Sequence, residues 1–77
     1  MEALTDHQHQ LLTVLKAAGR PTKHELVEAT ALPRMAVAQV LRDLEGQRLV
    51  AKDVDSNRQA VVWQLTARGA DMLDMES

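Results

Sequence analysis

The chain has 77 residues, 45% of them hydrophobic and 26% charged, with nine Lys and Arg against eleven Asp and Glu and a formal charge of −2. That length predicts one domain over residues 1–77, with no room for a second. With no cysteine, no disulfide can staple the fold and no thiolate can attack a substrate or hold a metal.

Apolar runs are only a few residues long, so no membrane-spanning helix is expected. Met1 is followed by Glu2 and Asp6, with no basic stretch and apolar core, so no secretory signal is expected and the cytoplasm is the default compartment. Trp63 is the one aromatic residue. The core must therefore be built from Leu, Val, Ala and Met, and so modest a core favours tight packing or self-association.

Thr5 and Gln8 form a capping-box pair, a hydroxyl for the open amides and an amide reaching back. Leu11, Leu15 and Ala18 follow at helical spacing, which predicts a helix over about 6–18. Gly19 suits a left-handed exit and Pro21 forbids resumption. Thr22 and Glu25 repeat the capping box. With the short stripe Leu26, Val27 and Thr30 they predict a two-turn helix over about 23–30. Ala31-Leu32-Pro33 breaks it, and a proline fits the first turn of the next helix, about 34–45. Val37, Val40, Leu41 and Leu44 make one buried face there, and Gly46 is the expected exit.

From Leu49 the period changes from about 3.6 to about 2. Strands are expected over about 49–53 and 59–65, around the polar turn Asp55-Ser56-Asn57. Alternation places Val61, Trp63 and Leu65 on the face that packs against the helices, with Trp63 as the central plug. Ala60, Val62 and Gln64 fall on the other face. Thr66 can cap a last helix over about 67–75, with Ala70 and Leu73 inward.

The order is helix, helix, helix, hairpin, helix. A tight connection between the second and third helices is the helix-turn-helix arrangement. A lone hairpin is marginal in water and must pack on the helices, which predicts a mainly α fold with a small β-hairpin: a winged helix-turn-helix. Residues 22–69 resemble the winged helix-turn-helix of small bacterial transcription regulators, the MarR-like group above all. The resemblance is carried by Leu32-Pro33-Arg34-Met35-Ala36-Val37-Ala38-Gln39-Val40-Leu41-Arg42-Asp43-Leu44-Glu45 and by Arg48-Leu49-Val50. Asn57-Arg58-Gln59-Ala60 and Trp63-Gln64-Leu65-Thr66-Ala67-Arg68-Gly69 complete it, at the wing tip and the opening of the next helix. Three departures stand out: Ala31 where many such proteins have glycine, Pro33 in place of a Ser or Thr cap, and Met35, Ala36 and Ala38 where a base-reading helix often carries hydroxyls and amides.

The resemblance implies a partner, double-stranded DNA, read by the third helix in the major groove. Arg34 can make a bidentate contact to guanine and Gln39 one to adenine, while Met35, Ala36 and Ala38 can meet thymine methyls. Arg42 and Lys23 join this set. On the wing, Arg58 matches the arginine that reaches into the minor groove, with Lys52, Ser56 and Asn57 toward phosphates. The net charge opposes such a partner, yet its distribution does not. Residues 16–58 carry eight Lys and Arg against six Asp and Glu, and the remaining acid sits near the two ends. A middle that is only mildly basic favours two copies on a symmetric site. Leu4, Met72 and Met75, with Ala3, are the expected dimer surface.

His7, His9 and His24 are scattered, and with no cysteine no metal site or cofactor is expected. No nucleophile–base pair, carboxylate pair or phosphate loop points to an enzyme. The competing reading is a winged helix used to bind another protein, motivated by the negative total and the apolar Met35, Ala36 and Ala38 surface. The long extra helices that build ligand pockets in full-length MarR-like regulators are not expected in a chain of this length.

Overall fold

In the computed structural model, which describes residues 4–76, both capping boxes close as their sequences require. Thr5 Oγ1 accepts from the Gln8 amide at 3.2 Å while the Thr5 amide donates to Gln8 Oε1 at 3.0 Å. They start α1 (Asp6–Ala18). The same exchange between Thr22 and Glu25 starts α2 (Lys23–Thr30). Then come α3 (Arg34–Gly46), β1 (Val50–Asp55), β2 (Ala60–Leu65) and α4 (Ala67–Glu76). The architecture is a winged helix, four helices and one antiparallel hairpin, as the sequence predicts.

Leu11, Leu12, Leu15, Leu26, Val37, Leu41, Leu44 and Leu49 form an aliphatic centre, all essentially without exposure. Trp63 and Leu73 close it from the hairpin and α4. The exits are more varied than expected. Gly19 leaves α1 with φ 85°. Helix α3 does end at Gly46, but the left-handed residue is Arg48, with φ 62°. The Arg48 amide donates to Glu45 O and the Leu49 amide to Leu44 O, the paired bonds of a Schellman ending. Helix α2 ends on Ala31 with φ 58°, which explains why glycine is common at such a turn.

The hairpin pairs Val50 with Leu65, Lys52 with Trp63 and Val54 with Val61. Val61, Trp63 and Leu65 do share a face, but that face is buried only toward its base. Val61, near the tip, is 49% exposed, whereas Val62 on the opposite face is fully buried. This corrects the expected one-sided packing. The chain between α1 and α2 adds to the free edge of β2: Thr22 bridges to Val62, and the Trp63 amide donates to Pro21 O at 2.8 Å. Arg20 then reaches Asp53, the cross-strand neighbour of Val62, so the second face is also occupied.

Thr66 and Gly69 lock α4 onto the start of β1. The Thr66 hydroxyl donates toward the carbonyls of Arg48 and Leu49, at 2.8 and 3.0 Å, and accepts from the Gly69 amide at 3.0 Å. Gly69 passes so close to Leu49 that a Cβ would lie 2.0 Å from its carbonyl oxygen.

Candidate nucleic-acid interface

The rotation of α3 is set by its buried face. Val37, Leu41 and Leu44 are at most 1% exposed, and Val40 lies beside them at 9%. Two outward stripes remain at four-residue spacing. One is Arg34, Ala38 and Arg42; the other is Met35, Gln39 and Asp43. Arg34, Gln39 and Arg42 are exposed, Ala36 and Ala38 half-buried, and Met35 is 85% exposed. Gln39 Nε2 donates to Asp43 Oδ1 at 3.1 Å, which occupies one of the donors a base-reading amide would use. Pro33 supplies no side-chain cap, so no side chain covers the first amides of α3.

The wing turn is held from its own base. Asp55 Oδ1 accepts from the amides of Asn57 and Arg58, at 3.0 and 3.4 Å, and Gln59 takes φ 51°. Ser56 and Asn57 are exposed at the tip. The Arg58 side chain lies back against α2. Its Nη2 donates to Glu25 Oε1 at 2.6 Å and its Nη1 to the Arg20 carbonyl at 3.3 Å. Arg20 in turn pairs with Asp53 at 3.0 Å. Lys23 and Lys52 line an open groove of about 520 Å³ between the start of α2 and the hairpin, with Val54, Val61 and Trp63.

Charge at this corner divides cleanly. Arg20 and Arg58 are paired with acids; among the described residues, Lys23, Lys52, Arg34 and Arg42 have no acidic partner within ion-pair distance. The Glu25 carboxyl is held below its ordinary value of 4.5, first by the Thr22 amide and then by the Arg58 guanidinium. Glu25, Arg20 and Asp53 were not apparent as site residues from the sequence. Their partners lie 33 positions away, and no local spacing signals such a contact.

The expected dimer surface is not uniform. Leu4 and Met72 are half-buried and pack on the chain's own core, while Met75 is 76% exposed. Ala3 lies outside the described residues. His24 pairs with Glu28 at 2.5 Å, and the described residues contain no group of three or more His, Cys, Asp and Glu placed to hold a metal. No helix among them is long and apolar enough to cross a membrane.

The sequence model of the MarR family matches residues 4–60, most of the chain. The chain belongs to the MarR family. Among solved structures, Bordetella bronchiseptica BpsR, whose DNA binding is regulated by 6-hydroxynicotinic acid, is 29% identical with a TM-score of 0.85. That alignment covers 94% of this chain and 52% of BpsR. Wild-type apo MarR from E. coli is 23% identical with a TM-score of 0.89, over 94% of this chain and 54% of MarR. MepR from S. aureus, in its complex with DNA, is 24% identical with a TM-score of 0.84, over 94% of this chain and 60% of MepR. The last two likenesses speak to the fold. This MarR-family chain therefore spans between half and two thirds of the length of these structures. No curated protein matches it.

Proposed function

We propose that this MarR-family chain is a cytoplasmic DNA-binding transcription regulator, with residues 1–77 acting as one winged-helix unit. It docks α3 in the major groove and the 54–59 wing on the minor groove or backbone. The observation that carries this reading is the outward arginine stripe of α3, Arg34 and Arg42, beside two further unpaired cations, Lys23 and Lys52. DNA affinity rests largely on such phosphate-facing charge, whatever the total. Repression follows if the bound site overlaps that of polymerase. Binding as a homodimer doubles the contacts, with Leu4, Met72 and Met75 toward the partner copy. The likeness to MepR supports the reading, since that protein is seen bound to DNA on the same fold.

Amide NMR shifts on adding a duplex from upstream of its own gene test this placement. Shifts should concentrate on residues 34–42 and 56–59. Shifts confined to α1 and α4, or none, would refute it. Exposure of Met35, Val54 and Val61 supports a second reading, in which the same face binds a protein. A stable hetero-complex that shifts those three residues, with no response to DNA, would favour it.

A further inference from the structure

We infer that Glu25 is an internal competitor for DNA: its carboxylate occupies the wing arginine in the free chain, and a backbone phosphate displaces it on binding. The inference rests on the DNA-binding reading above. A guanidinium fork matches a carboxylate and a phosphate in the same way, so the two are alternative partners for Arg58.

The exchange leaves nothing stranded on the protein. Glu25 Oε1 also accepts from the Thr22 amide at 2.8 Å, so the carboxylate keeps its capping partner when Arg58 departs. The second acceptor of Arg58, the Arg20 carbonyl, belongs to an exposed residue and can turn to water. The wing turn is held by Asp55 through backbone amides, so the arginine side chain can swing without remaking the turn. Both members of the pair are close to half exposed, a setting in which an ion pair is weak and open to exchange. The capping box also fixes the carboxylate where the arginine lies, so the competition is built into the fold and does not depend on a mobile acid.

Glu25→Gln separates this role from capping, because a glutamine at this position keeps the capping box and loses the charge. Fluorescence anisotropy with a labelled duplex from upstream of the chain's own gene, over a series of salt concentrations, gives affinity and salt slope together. Glu25→Gln should bind several-fold tighter at low salt, with a slope steeper by about 0.9, one added phosphate contact. In an Arg58→Ala background the same substitution should leave the slope unchanged. Salt-sensitive wild-type binding with an unaltered slope in Glu25→Gln overturns the inference alone, as does an equal slope change with and without Arg58. Absence of salt-sensitive binding by both folded proteins overturns the DNA reading and the inference with it.

Discussion

At Gly69 the space a side chain would need is already taken by the Leu49 carbonyl, 2.0 Å from the position of a Cβ. A backbone atom cannot step aside as a flexible side chain does. Gly69→Ala should therefore destabilise the chain by about 1–3 kcal/mol, despite the better helix propensity of alanine. Urea unfolding measures this directly, and an unchanged midpoint would contradict the close approach. Ala31 is the opposite case, a Cβ held in left-handed backbone at φ 58°. Ala31→Gly should stabilise by up to about 1 kcal/mol. The departure from glycine at that turn was legible in the sequence; its left-handed geometry was visible only with the backbone. Glu25 adds a pH dependence. Its carboxyl is held below the ordinary value of 4.5, so its contribution is fully present above that value. As pH falls through 4.5 and then through the folded value, the unfolded chain takes the proton first and the contribution is lost. The stability gap between wild type and Glu25→Gln should be constant near neutrality and narrow only in that acid range. A gap that widens on acidification would contradict the pairing.

Among the elements, α1 to α3 were legible almost residue by residue because their signals are local. Thr5 with Gln8, Thr22 with Glu25, and Pro33 each mark a start within one turn of helix. The hairpin was half legible. Period-2 alternation groups Val61, Trp63 and Leu65 correctly, but it cannot show that Pro21 and Thr22 return to the edge of β2. That contact buries Val62 and leaves Val61 near the solvated tip. Val62→Ala should cost about 2 kcal/mol, and Val61→Ala should stay within about 0.5 kcal/mol of wild type. Thermal unfolding of the two variants checks the order, and equal effects would restore the one-sided hairpin. The outward residues of α3 were legible for the same reason as its core. Once Val37, Leu41 and Leu44 are inward, Arg34 and Arg42 have only the solvent side. The Arg58–Glu25 pair was not legible, since nothing near either residue refers to the other.

For the whole molecule, a charge of −2 and a length of 77 residues set the terms. The six arginines and lysines around α2, α3 and the wing divide into two held by acids, Arg20 and Arg58, and four that are not. The basic character of this side thus exceeds what the total suggests, and part of it is held in reserve by Glu25. A chain that spans little more than half of BpsR or MarR has only its own surface with which to pair copies. Light scattering should show two copies per symmetric duplex, and a single copy at saturation would contradict the dimer. The central claim is that α3 and the wing are the DNA-docking face. Its most direct test is anisotropy of a duplex from upstream of the chain's own gene, titrated over a salt series with wild type, Arg34→Ala and Arg58→Ala. The account predicts that log affinity falls linearly with log salt, and that Arg34→Ala weakens binding by about 1–3 kcal/mol. Binding that ignores salt, or that neither substitution changes, would contradict it.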